Sequence, residues 1–191
     1  MAPPVRTVSL AVSCSAGIIG RFGEPFGNKT NRATRHEGAI AMTTVEFVPY
    51  LSVTDAKNAV AFYSRVFGTE PVLLLNMPDG RVMHCEFRVG GARFFLSEEL
   101  PEHGGTPSPA SLGATTVAIH LYVDDCDAMV AEMKSNGAKV VMEPTDMFWG
   151  ERFARVRDPF GHEWGITTHL HDMTPTEIQA AAAKLFESKD D

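Results

Sequence analysis

Pro49-Tyr50-Leu51-Ser52-Val53-Thr54-Asp55 and, 70 residues later, Ile119-His120-Leu121-Tyr122-Val123-Asp124-Asp125 state one pattern twice. The pairs Leu51/Leu121, Val53/Val123 and Asp55/Asp125 fall at matching places in the two copies. Self-similarity at a fixed spacing points to a repeated supersecondary unit. In each copy a short alternating segment predicts a strand. Asp55 or Asp125 then caps a helix by accepting from its free N–H groups. The first helix, Ala56 to Phe67, carries an apolar stripe at Val60, Tyr63 and Phe67, widened by Ala59, Phe62 and Val66; the second, Cys126 to Asn136, carries Met129, Val130 and Met133. Gly68 and Gly137 end the two helices, where a left-handed residue is least strained as glycine.

Outward from these starts, three more strands are expected in each copy. In the first they are Pro71–Asn76, Arg81–Val89 and Ala92–Ser97, separated by Pro78-Asp79-Gly80 and Gly90-Gly91. In the second they are Ala138–Met142, Arg152–Arg157 and Glu163–Thr168, the last two joined by Asp158-Pro159-Phe160-Gly161. The fold class is therefore α+β, two βαβββ modules forming a cupped mixed sheet, at residues 45–97 and 116–170. A linker with three prolines and three glycines runs over 98–115. The tail, 171–191, opens a last helix at Thr174-Pro175-Thr176-Glu177, through about Glu187.

Residues 1–41 are read as standing outside this fold. They hold five Lys and Arg against two Glu, a balance of +3, which leaves −10 for the rest of a chain of net charge −7. They are rich in Gly, Ser and Pro without a sustained period. An extension ahead of a start at Met42 is the favoured reading, disordered, over a transit segment or a weak signal peptide.

Strand parity assigns the faces. Leu51, Val53, Ile119, Leu121, Val123, Met83, Cys85, Phe87, Phe94, Leu96, Trp164 and Ile166 are the expected core. The opposite faces then carry Tyr50, Ser52, His84, Glu86, Arg88, Arg93 and Phe95 in the first copy. In the second they carry His120, Tyr122, Phe153, Arg155, Arg157, Glu163 and Gly165. Aromatic, imidazole, carboxylate and guanidinium groups on two facing sheets suit a pocket for a small organic molecule. Tyr50, His84, His120, Tyr122, Phe153 and Arg155 are the expected ligand-binding residues.

Other classes are set aside. An acidic chain lacks the clustered Lys and Arg that nucleic acid requires, and no run of 18 apolar residues exists to span a membrane. Cys14, Cys85 and Cys126 form neither a disulfide framework nor a zinc clasp, which points to the reducing cytoplasm. Phosphate-binding glycine loops and the G-x-S-x-G elbow are missing from the sequence. Cys85 reads as packing, Asp158-Pro159 as turn chemistry, Trp149 as a loop anchor with a pocket-rim role as its second reading, and His103, His169 and His171 as exposed, with a metal-binding His169–His171 pair as the lesser reading.

Taken together, Phe62-Tyr63, Phe67-Gly68 and Arg157-Asp158-Pro159-Phe160-Gly161-His162 resemble the vicinal oxygen chelate superfamily, the glyoxalase, bleomycin-resistance and dioxygenase relatives. Phe148-Trp149-Gly150-Glu151-Arg152-Phe153 and Asp172-Met173-Thr174-Pro175-Thr176-Glu177 are similar to its PhnB-like branch. The resemblance implies metal ligands on the first and last strand of each module. Those places here are Val48, Phe95, Ala118 and Gly165, none of which ligates a metal through its side chain. The expectation is no standard metal site, with a divalent ion at a shifted site of His84, Glu86 and His120 as the lesser reading. Three functions follow. One is a metal-free binder of an aromatic or cationic compound. Another is a glyoxalase-like lyase or isomerase with Glu86 or Glu163 as base, His120 as proton carrier, and Arg93, Arg155 or Arg157 holding an anion. The third is an unliganded dimerisation module, since repeats in such proteins often pair between chains; a homodimer is expected.

Overall fold

The structure, a computed structural model, describes residues 9–13 and 46–187. The two copies form two sheets of matching topology. In the first module, β2 (Tyr50–Val53), α1 (Ala56–Phe67), β3 (Leu73–Asn76), β4 (Val82–Val89) and β5 (Ala92–Glu98) give the strand order β2-β5-β4-β3. A linker with a short α2 (Pro109–Leu112) leads to the second module. There β6 (Ala118–Tyr122), α3 (Cys126–Ser135), β7 (Lys139–Asp146), β8 (Glu151–Arg157) and β9 (Glu163–His169) repeat the order as β6-β9-β8-β7. In both, the first strand runs parallel to the last and the other pairs are antiparallel. A terminal helix, α4 (Pro175–Glu187), follows.

The helix signals act as read. Asp55 Oδ1 accepts from the Asn58 N–H at 3.1 Å and Asp125 Oδ1 from the Ala128 N–H at 2.9 Å, each satisfying a donor without an intrahelical partner. Gly68 closes α1 at φ 61°, a conformation costly for any residue with a Cβ. The buried stripe of α1 is Ala59, Phe62, Tyr63 and Val66, with Val60 and Phe67 at its margins.

Parity holds for Cys85, Phe87, Phe94, Leu96, Trp164 and Ile166, all fully buried. It fails at Met83. The pairing between β3 and β4 shifts after Leu75, which faces His84, so that Asn76 faces Val82. This bulge turns Met83 outward to 48% exposure and puts Val82 in the core at 1%. Strand β7 runs on to Asp146, past the expected Met142, with shifts at Met142 and Thr145.

One segment departs from the expected extension. Ser9–Ser13 forms a strand, β1, antiparallel to β6 with Leu10 opposite Leu121. An edge strand leaves a row of backbone donors and acceptors open to such pairing, a demand that the composition of residues 1–41 does not reveal. The reading of the rest of that stretch, and of Met42 as a start, lies outside the described residues.

The modules meet on their helix sides. Tyr63 of α1 lies between Phe94 of its own sheet (5.3 Å between ring centroids) and Phe160 and Trp164 of the other module (6.1 and 5.8 Å). Asp158 anchors the seam. It is buried, its Oδ2 accepts from Tyr63 Oη–H at 2.5 Å and Trp164 Nε1–H at 2.8 Å, and its Oδ1 accepts from the N–H groups of Phe160 and His162. Four donors compensate the charge for its lost water. Burial and the neighbouring Asp158 charge hold the Tyr63 phenol well above its usual range. His162, also buried, hydrogen-bonds through Nε2 to the Ser52 carbonyl across the seam at 3.1 Å.

Candidate functional site

Because the helix sides are joined in the seam, the opposite face of each sheet carries the polar and aromatic residues. The registers place these faces on one grid. Across the first sheet run Tyr50, Phe95, Glu86 and Leu73; the matching row of the second is His120, Gly165, Arg155 and Met142. One row over, Tyr122, Thr167, Phe153 and Thr145 lie side by side.

On the first face Tyr50 Oη and His84 Nδ1 hydrogen-bond at 3.0 Å. Phe95 lies beside both, 5.8 Å from the Tyr50 ring and 5.0 Å from the His84 ring. Arg93 completes this cluster. Its guanidinium sits 5.8 Å from the Phe95 centroid, donates twice to Glu46 at 2.9 and 2.7 Å, and lies 3.6 Å from Glu86.

On the second face His120 lies between two rings, 5.2 Å from Tyr122 and 5.6 Å from Phe153, and hydrogen-bonds through Nε2 to the buried Thr167 hydroxyl. Gly165 makes this possible. A Cβ there would stand 2.9 Å from the Phe153 ring and 3.3 Å from His120 Nδ1. Burial lowers the His120 pKa against the opposing pull of the Glu151 charge, which favours the neutral imidazole. Burial, reinforced by Glu151, pushes the Tyr122 phenol up to about 12. Glu151 accepts from Tyr122 Oη–H at 3.2 Å and Trp149 Nε1–H at 2.9 Å.

The expected site residues thus fall into two groups. Tyr50 and His84 come together, as do His120, Tyr122 and Phe153, but among the described residues no hydrogen bond, ion pair or ring contact joins one group to the other. What joins the modules directly is the seam, which uses their helix sides. Glu86 and Glu163, the expected bases, each face an arginine: Glu163 accepts from Arg157 at 2.5 Å. Arg155 is exposed. His84 and Glu86 sit on one sheet and His120 on the other, and within one chain the described residues hold no group of three His, Cys, Asp or Glu that could bind a metal. Val48, Phe95, Ala118 and Gly165 do not fit a divalent ion either: no side-chain donor exists at any of them, and Phe95 and Gly165 are committed to ring packing.

One residue of the second face, Glu151, escapes the sequence reading, and another, Trp149, has a pocket-rim role there only as its second reading. Glu151 lies two positions before Phe153 on β8 and shares its face by parity, but the strand was expected to begin at Arg152. Trp149 sits in the β7–β8 hairpin, where no periodicity reports direction. Cys85 and Cys126 are buried as packing residues, their thiols pushed up to about 11 by burial.

Comparison with known proteins agrees with this architecture. The family model of the Glyoxalase/Bleomycin resistance protein/Dioxygenase superfamily matches residues 40–166. The chain belongs to this superfamily. It is 36% identical to the uncharacterized protein Rv0887c of Mycobacterium tuberculosis over 159 residues, which is 81% of this chain and 94% of that protein. Protein PA1353 of Pseudomonas aeruginosa shares the superfamily fold at a TM-score of 0.55 and 23% identity, over 67% of this chain and all of that one. A glyoxalase-related enzyme from Fulvimarina pelagi does so at 0.50 and 18%, over 67% and 89%. Among the described residues no helix is long and apolar enough to cross a membrane.

Proposed function

We propose that the chain is a metal-independent binding protein that takes a small organic molecule against the ring-lined faces of its sheets. One observation carries this reading. At the last-strand position where metal-dependent relatives place a ligand, the second module has Gly165, and the room it leaves is filled by the His120–Phe153 platform. Stacked rings and a neutral imidazole bind flat organic groups by dispersion and desolvation, with few polar groups fixing the orientation. Glu86 and Glu163, paired with arginines, are less suited to remove a proton than the lyase reading requires.

A homodimer completes the proposal. Tyr50, Leu73, Leu75 and Met83 on the first sheet are 40–54% exposed, an apolar display that a second chain would cover. In such a dimer the first face of one chain closes over the second face of its partner. The test combines light scattering after size exclusion, metal analysis of the purified protein and thermal shift against a panel of aromatic compounds. A dimer without stoichiometric metal, stabilised by aromatic compounds, is the expected result. Stoichiometric tightly held metal would overturn the proposal.

A further inference from the structure

The two faces treat positive charge differently. On the first, Phe95, Glu46 and Glu86 surround the Arg93 guanidinium, a cation supplied by the chain itself. On the second, Glu151 lies half-buried among Trp149, Tyr122 and Phe153, and both its oxygens accept from ring donors, at 2.9 and 3.2 Å. Those bonds orient the carboxylate and leave its charge in place. Among the described residues no lysine or arginine pairs with it or stands over these rings. His169, opposite Glu151 in the β8–β9 register, is turned to Asp172 at 3.1 Å. A fixed carboxylate beside electron-rich ring faces attracts an organic cation both by charge and by the ring quadrupoles.

We infer that the second face is selective for an organic cation, an ammonium or N-alkylammonium group carried on a flat body, with the charge at Glu151 and Trp149 and the flat part on His120 and Phe153. This rests on the reading of the faces as binding surfaces, and it names the ligand class. It also distinguishes the two faces, since Arg93 already occupies the equivalent role on the first.

The test compares two isosteres on the full-length protein, meta-hydroxyphenyltrimethylammonium and meta-tert-butylphenol, which differ in charge and hardly in shape. The chain has two tryptophans, and the Trp149 indole N–H, which donates to Glu151, gives an NMR signal assigned by its loss in Trp149→Phe. The cation is expected to shift that signal saturably and to bind about tenfold more tightly than the neutral isostere. In Glu151→Gln most of that preference should be lost, leaving only what the ring faces supply. Equal binding of both to the wild-type protein overturns the cation inference and leaves the binding-face reading standing. If neither compound moves the signal, both readings fail. A charge preference that is undiminished in Glu151→Gln, whose fold is checked by the Trp164 indole signal, also overturns the assignment.

Discussion

The two faces share a grid and differ in what fills its centre. At corresponding positions of the last strands stand Phe95 and Gly165, 70 residues apart. In the first module the ring comes from that strand itself and supports Arg93; in the second the strand is bare there and rings lean in from β6 and β8. Directly alongside, Arg93 is matched by Glu163, so one grid point holds opposite charges. The difference shows that the scaffold is indifferent to this chemistry. What both modules keep is the helix-side core, where Phe94 and Trp164 occupy the corresponding places.

The largest effect is expected beneath the faces. Trp164→Ala should cost about 3–5 kcal/mol in urea unfolding, because it empties a fully buried indole volume and removes a donor from Asp158. Phe94→Ala should fall in the same range while leaving that hydrogen bond intact. A Phe94 variant clearly more damaging than the Trp164 one would show that the seam is not anchored where the structure places it.

Next comes Gly165→Ala, which drives a methyl to 2.9 Å from the Phe153 ring. A loss of about 1–3 kcal/mol is expected from this overpacking, largely recovered in the double variant with Phe153→Ala. No loss, by the same urea measurement, would mean that the platform yields freely and does not depend on the glycine.

Acid should weaken the fold through the second module and its seam. Burial depresses the pKa values of both His120 and His162, so the unfolded chain binds protons that the folded chain does not. Stability from these groups is whole above their unfolded pKa of about 6.5 and is lost as pH falls below it toward the folded values. His120→Gln and His162→Gln should each flatten the fall between neutrality and acid in thermal unfolding. An unchanged slope in both would remove this account.

The smallest stability change belongs to Arg93→Ala, since its ion pairs reach solvent and are screened there; urea unfolding is expected to stay close to wild type. Its binding effect sharpens the comparison. With the guanidinium gone, Phe95, Glu46 and Glu86 should accept the phenyltrimethylammonium probe, giving a second class of sites in calorimetric titration. A titration identical to wild type would break the equivalence of the faces.

The fold was legible because duplication prints one pattern twice: Asp55 and Asp125 mark the helix starts, and alternation marks most strand faces. Met83 was misassigned since a bulge moves parity by one residue, and only the partner strand reveals the bulge. Asp158 reads locally as a turn former, and it is one. Its bond to Tyr63, 95 residues away, depends on how the modules dock, which no local pattern encodes. The separation of Tyr50 and His84 from His120 and Tyr122 escaped for the same reason: parity says which side of a sheet a residue occupies, not which way the sheets are turned.

The Asp158 junction has one more consequence. Since cohesion between the halves is lodged behind the sheets, substitutions on either front are energetically remote from it, and effects at remote sites add with little interaction. Each copy can therefore differ in recognition chemistry without altering how the halves cohere. One front keeps a cation of its own making, and the other stayed free to acquire a different appetite.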